Sequence, residues 1–355
     1  MTRREWMILS TASAAAGQTV HQEIQGMAKS APLALRYTGV SKGECVRWQR
    51  EFRARLDSLL GSYAPPVHWK ATVVRKLDFA EHTREELLLH AAGHRDLPVH
   101  LLVPRGRTRP RPAILALHGH GAFGHDAVAG VDDTPQRQHN IAAANYDYGR
   151  QLARLGYVVA VPCFTPFGPR LGRREDYKGE DPCAVTFIRM QLFGKLLLSE
   201  NLRDALWTIE LLANHAAVNA QRIGCAGLSL GGRMTMMTAA VSPRVRVAVI
   251  SGALNMLRER VLGRYSCGAQ IIPGLLNDGD VPEIASLIAP RPCLWEVGLK
   301  DSLMVKEWIP PALEQMRKAW SSFGAGAQLD VDSFEGGHRW NGVKAHPLLA
   351  TVLQP

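Results

Sequence analysis

Apolar residues recur along this chain in two rhythms, and the alternation between them predicts its architecture. Short runs at 113–117, 157–161, 223–226 and 245–250 have the length of buried strands, and segments at 292–297 and 329–334 complete the series. Between them lie stretches of helical period at 146–155, 198–213 and 232–240. In the second of these, Leu202, Ala205, Leu206, Ile209, Leu212 and Ala213 share one helical face. His215 follows it in the place of a C-terminal cap. Strand, loop and helix in repetition predict an α/β fold, a mostly parallel central sheet with helices on both faces. Upstream, 87–90 and 98–103 flank Gly93-His94-Arg95-Asp96 and predict an N-terminal antiparallel hairpin. Residues 18–66 read as polar helices, with 47–60 carrying apolar residues at uneven helical spacing. No Gly/Ser-rich or Pro-rich linker and no repeat divides the chain. The expected organisation is a helical extension over 18–84 and one catalytic α/β domain over 85–355.

Composition narrows this only slightly. At 355 residues, 46% hydrophobic and 21% charged, the chain is ordinary globular material, long enough to bury a large core without disulfide staples. Lys and Arg number 42 against 32 Asp and Glu, a net +10 that invites a nucleic-acid reading. The basic residues are scattered, however, in short groups such as Arg170-Arg173-Arg174, with no aromatic-interleaved stripe. A solvated basic surface is the expectation, with no nucleic-acid partner. Six cysteines form no C-x-x-C pair. Cys225 and Cys293 sit in apolar runs as small buried hydrophobes, whereas Cys45, Cys183 and Cys267 lie in less regular stretches and leave one bridge open.

The N-terminus Met1-Thr2-Arg3-Arg4-Glu5-Trp6-Met7-Ile8 has the pattern of a twin-arginine export signal. An uncharged, Ala-rich stretch follows to residue 17, too short to span a bilayer, with small-x-small sites such as Ala12-Ser13-Ala14. Residues 1–17 are therefore read as a signal segment and the protein as exported; the alternative is a cytoplasmic chain with a frayed helix. No other segment has the apolar length of an integral membrane span.

The chemistry is carried by Gly227-Leu228-Ser229-Leu230-Gly231-Gly232, which joins a predicted strand to a predicted helix. Glycines flank the serine because a sharp strand-to-helix turn leaves no room for Cβ atoms, and the turn lifts the hydroxyl above the sheet. A serine hydroxyl needs a general base, and the base needs an orienting acid. In this architecture they follow in the order Ser, acid, His. Asp301 stands just past one strand end and His338 just past the last, where ligands bind in such sheets. Glu296 is the rival acid but lies inside its strand. The Gly-rich loop His118-Gly119-His120-Gly121 after the first parallel strand offers backbone N–H groups to an oxyanion. Its donor is placed at His120, with Gly121 as alternate, and Leu230 supplies the amide after the nucleophile. The loop histidines with His125 or Asp126 are the metal alternative, but the triad needs no metal or organic cofactor. Position also suggests substrate contacts: Arg170, with Arg173 and Arg174, for a carboxylate, and Trp340 for a sugar ring.

The HGHG loop, the GLSLGG elbow, the stretch 267–276 and the stretch 280–292 together resemble the α/β-hydrolase superfamily, over about residues 85–350. The nearest resemblance is to its dienelactone-hydrolase-like or acetyl xylan esterase-like branch. Dienelactone hydrolases carry cysteine at the elbow; Ser229 here implies ordinary serine esterase chemistry. Related carbohydrate esterases often have Gln where Leu230 stands, so the resemblance does not extend to acetyl xylan as substrate. It implies a carboxylic ester hydrolase acting through an acyl-enzyme on a small-molecule or carbohydrate ester, with deacetylation of a carbohydrate as one such reaction. The competing readings are a prolyl-oligopeptidase-type serine peptidase and a non-catalytic binding protein on the same fold.

Overall fold

The computed structural model describes residues 18–106, 110–264 and 267–355. The expected signal segment, 1–17, lies outside the described residues.

Two capped helices open the described chain. Helix α1 (Val20–Lys29) starts at a capping box between Thr19 and Gln22, and α2 (Lys42–Leu60) at one between Ser41 and Glu44. Helix α2 buries Cys45, Trp48, Phe52, Leu56 and Leu60, a stripe at three- and four-residue spacing. Its neighbours are fixed by polar contacts as well. Gln49 Nε2 donates to the Ser286 and Ala289 carbonyls at 2.9 Å each, and Tyr37 and Ser322 share a 2.7 Å hydroxyl bond.

Strand β1 (Lys70–Asp78) then pairs antiparallel with β2 (His82–His90), which pairs antiparallel with β3 (Leu97–Pro104). The expected hairpin is therefore present, turning at Gly93 with φ +75°. Strand β1 was not expected: nearly all its residues are exposed, so it shows no apolar rhythm. It also carries the N-terminal region into the sheet, and residues 84 and 85, the expected limit of the extension, are neighbours within β2.

The parallel core follows: β4 (Arg111–Leu117), α3 (Gly124–Val128), α4 (Pro135–Ala144), α5 (Tyr148–Arg154), β5 (Val158–Pro162), α6 (Pro182–Gln191), α7 (Leu197–Asn214), β6 (Val218–Leu228), α8 (Leu230–Val241) and β7 (Val245–Ser251). It ends with α9 (Leu257–Gly263), α10 (Val281–Ser286), β8 (Cys293–Gly298), α11 (Ile309–Ser322), β9 (Leu329–Phe334) and α12 (Ala345–Leu353). His215 is the C-cap residue of α7. Among the described residues, nine strands lie in the order β1-β2-β3-β5-β4-β6-β7-β8-β9. From β5 to β9 all pairs are parallel.

Both faces of this sheet are covered. In β4, Ala113, Leu115 and Leu117 join one apolar cluster, and Ile114 and Ala116 join the other. That explains the unbroken apolar runs of the sequence. The order reverses at β4, with β5 on one side and β6 on the other, so the loops after β4 and β6 open at a topological switch point. Cys45, Cys163, Cys183, Cys225 and Cys293 are buried, and all six cysteines are unbridged.

Because Leu56 is fully buried in the main apolar cluster, the N-terminal helices belong to the same cooperative unit as the sheet. Leu56→Ala is expected to lower the unfolding free energy by about 2–5 kcal/mol. Urea unfolding followed by circular dichroism should show one transition moved as a whole. An unmoved main transition preceded by a small separate one would contradict this.

Candidate active site

Ser229 sits between β6 and α8 with φ 64° and ψ −123°, a backbone conformation that side chains rarely adopt. Neighbouring glycines permit it. A Cβ on Gly231 would fall 1.8 Å from the Leu117 carbonyl oxygen, and one on Gly227 would fall 2.4 Å from the Gly231 oxygen. The Ser229 N–H donates to the Ser251 carbonyl at 2.9 Å, which ties the turn to β7.

The loop after β4 reaches the same place. A Cβ on Gly119 would lie 2.8 Å from Ser229 Cβ, so only glycine allows the approach. His118 holds this loop from beneath. Its Nε2 accepts the Phe164 N–H at 2.9 Å, which leaves Nδ1 protonated to donate to the Gly119 carbonyl at 2.8 Å. Burial pushes its imidazole down to about 4, so it stays neutral. The Gly119 N–H donates to the Tyr146 hydroxyl at 2.7 Å.

On the far side, the loops after β8 and β9 are laced together. Leu299 N–H donates to the Phe334 carbonyl at 2.9 Å and Lys300 N–H to the Gly336 carbonyl at 2.8 Å. This brings Asp301 Oδ2 to 2.7 Å from His338 Nδ1, while Asp301 Oδ1 accepts the Leu303 N–H at 2.8 Å. Asp301 is 2% exposed and His338 remains open to the cleft. His338 and Ser229 line one cavity of about 380 Å³ together with His120, Asn255, Arg260 and Gln270. The structure thus gathers Ser229, Asp301, His338, Leu230 and His120 at one end of the sheet. The imidazole and the Ser229 hydroxyl face this cavity without a hydrogen bond between them.

Glu296 has a different task. It is fully buried in β8 and accepts the Gly342 N–H at 2.7 Å and the Asn341 N–H at 3.2 Å. It therefore anchors the loop that follows His338, and burial raises its carboxyl pKa. Two expected substrate contacts are also corrected. Arg170 points inward, donating to the Cys163 carbonyl at 2.9 Å and pairing with the fully buried Asp204. Trp340 is fully buried, stacked on Tyr148 at 4.9 Å between ring centroids. Neither meets the cleft. Arg173 is exposed and paired with Asp176, whereas Arg174 lines a second cavity of about 240 Å³ with His120 and Gly121. The metal alternative is not assembled either, since His118 already spends both ring nitrogens.

Several cleft residues carried no sequence signal. Arg260, on α9, donates to the Leu303 carbonyl at 2.6 Å and so braces the Asp301 loop. Arg233, fully buried in α8 and lowered by burial to about 10, donates to Asn255 through its backbone and side-chain oxygens. Cys183 and Cys267 meet beside His120. No spacing rule links Cys183, Arg233 and Arg260, which lie in three different crossovers.

No family model matches the chain. YtaP of Bacillus subtilis (strain 168), which carries the name of a hydrolase, is 28% identical over 304 residues, covering 83% of this chain and 96% of its own. Among solved structures, BF1801 of Bacteroides fragilis NCTC 9343, described as an acetyl xylan esterase, superposes with a TM-score of 0.76 at 16% identity, over 91% of this chain and 84% of that one. The methylesterase BT1017 follows at 0.68 and 16%, over 95% and 69%. A glucuronoyl esterase from Solibacter usitatus gives 0.63 and 14%, over 89% and 97%. With the sheet order and the elbow, these likenesses establish the α/β-hydrolase fold.

Arg170→Ala would leave Asp204 buried with Arg203 as its remaining ion-pair partner. A loss of about 3 kcal/mol in unfolding free energy is expected, with the preference between neutral and anionic esters unchanged. Denaturant unfolding and a paired ester assay read the two outcomes separately. A selective loss on anionic esters in a protein of undiminished stability would return Arg170 to the substrate.

Proposed function

We propose that this protein is a serine hydrolase of carboxylic esters. The observation that carries the reading is the 2.7 Å bond from His338 Nδ1 to a buried Asp301, with Ser229 at a strained elbow on the same cleft. Asp301 accepts a hydrogen bond from Nδ1–H, which holds the tautomer that leaves the Nε2 lone pair as the base. Nε2 and the Ser229 hydroxyl share the cleft, and their hydrogen bond forms as substrate binds, since such bonds often tighten only then. Oγ then attacks the ester carbonyl as its proton moves to Nε2. The carbonyl oxygen becomes an oxyanion, received by the Leu230 amide at the start of α8 and by the His120 amide, with Gly121 as alternate. The imidazolium returns its proton to the departing alcohol. Water, deprotonated by His338, releases the acid from the acyl-enzyme.

A carbohydrate ester is the substrate class best supported. The cleft is open and lined by hydrogen-bonding groups, Asn255, Arg260 and Gln270, suited to hydroxyls. The named activities of the structural neighbours, on acetyl, methyl and glucuronoyl esters, point the same way. The cavity volume of about 380 Å³ suits a small acyl group.

Hydrolysis of p-nitrophenyl acetate and butyrate tests the reading. Ser229→Ala should lower kcat by about 10⁶-fold and Asp301→Asn by about 10⁴-fold, because the first removes the nucleophile and the second the group that holds the base's tautomer. Glu296→Gln keeps acceptor capacity toward the 341–342 amides and should stay within about tenfold of wild type. Activity surviving in Ser229→Ala, or a collapse in Glu296→Gln equal to that in Asp301→Asn, would overturn these assignments.

A further inference from the structure

Beside the cleft, three side chains from three distant segments converge. His120 stands on the loop after β4, Cys183 in the first turn of α6, and Cys267 at the start of a short turn, Gly268–Gln270. Their ligand atoms all lie within 4.8 Å of one another. Around a tetrahedral zinc ion, with Zn–S of about 2.3 Å and Zn–N of about 2.0–2.1 Å, such atoms stand about 3.5–3.8 Å apart. A contraction of no more than about 1 Å therefore closes the set on a common centre.

The surroundings are built for this convergence. A Cβ on Gly268 would fall 2.5 Å from Phe187 Cβ, so glycine lets the Cys267 turn press against α6 next to Cys183. Cys267 Sγ accepts the Ala269 N–H at 3.4 Å, an arrangement that favours negative charge on sulfur. Asp181 caps α6 through the Ala184 N–H at 2.7 Å, which fixes the turn carrying Cys183. Cys183 is buried, Cys267 partly so, and His120 is exposed, which leaves an entry path for an ion from the cleft.

We propose that His120, Cys183 and Cys267 bind one zinc ion at the wall of the cleft. Two thiolates and an imidazole form a soft donor set that selects zinc over calcium or magnesium. Binding releases the two thiol protons and forms two Zn–S bonds and one Zn–N bond, with no change in oxidation state. Three protein ligands leave the fourth position to water, on the side of the cavity that also holds Ser229 and His338. The ion would join α6 and the 267–270 turn to the loop that supplies His120, and so fix the width of the cleft.

The test uses the full chain, purified under a phosphine reductant and stripped with a chelator. Zinc per chain is measured by mass spectrometry of the metal, and cobalt(II) is titrated as a coloured substitute. The expected result is one equivalent of zinc, with cobalt showing thiolate charge-transfer absorption and the intense visible bands of a tetrahedral site. Cys267→Ser, Cys183→Ser and His120→Ala should each weaken zinc binding by more than about 100-fold, beyond the usual effect of losing an outer-shell partner. Cys45→Ala should bind normally. His120 is exposed, so its variant should fold and keeps the test decisive if the buried Cys183 variant does not. Reduced, folded protein that binds no stoichiometric zinc would overturn the proposal. So would zinc binding that survives Cys267→Ser, or a Cys183–Cys267 disulfide in protein isolated without reductant that gains no zinc once reduced. None of these readouts depends on ester hydrolysis, so a failure here is distinct from a failure of the esterase reading.

Discussion

The close approach of α8 to the end of β4 is the contact on which the rest of the cleft depends. Gly231 lies so near the Leu117 carbonyl that even a methyl group there would fall 1.8 Å from the oxygen. That contact drives the chain into the conformation Ser229 adopts, at φ 64°, and sets the start of a helix directly behind its hydroxyl. Strain of this kind costs about 1–3 kcal/mol and persists only where neighbours over-determine it. Here they do: β4, β5, β6, β7 and β8 are buried strands, and α8 is buried along nearly its whole length. A rigid parallel core thus holds the serine in place without help from any flexible loop.

Asp301 and His338, the groups read as acid and base, are positioned by a different means, backbone lacing between two adjacent strand ends. The loops after β8 and β9 exchange hydrogen bonds before either reaches the cleft, so Asp301 and His338 arrive as a pair. Glu296 extends the same scheme by gripping the amides beyond His338. Two carboxylates five residues apart therefore divide the work by location. The one past the strand end meets the imidazole; the one within the strand meets backbone and is kept from solvent.

What could be read from the sequence followed from constraints that are local in the chain. Strands β4, β5 and β7 announce themselves because burial on both faces demands unbroken apolar runs, and the elbow because only glycine fits around it. Strand β1 was invisible for the opposite reason: it lies at an exposed edge, where backbone pairing with β2 suffices and side-chain pattern is unconstrained. Arg170 and Trp340 misled because their partners are remote. Asp204 lies on α7, more than 30 residues after Arg170, and Tyr148 is almost 200 residues before Trp340, so sequence position near the cleft could not reveal which way either points. The convergence of His120, Cys183 and Cys267 is hidden in the same way, since its members share no period and no motif.

This contrast separates the chemistry from its selectivity. The groups read as acting on the ester stand at strand ends, where the sheet dictates their positions and where an unrelated sequence on the same fold would place them too. The cleft walls, by comparison, come from Asp181 at the cap of α6, from α9 and from the 267–270 turn, all of which lie in crossovers. Arg260 belongs to this second group, yet it also braces the Asp301 loop through the Leu303 carbonyl. Arg233 likewise joins α8, which begins at Ser229, to Asn255 in the cleft wall. The wall is therefore coupled to Ser229 and to the Asp301 loop by guanidinium contacts, one buried and one at the cleft surface. A change of wall sequence that alters substrate choice must keep these two arginines supplied with carbonyl partners, because a buried guanidinium left without acceptors is costly. That requirement limits which parts of the cleft can diverge among hydrolases that share this sheet.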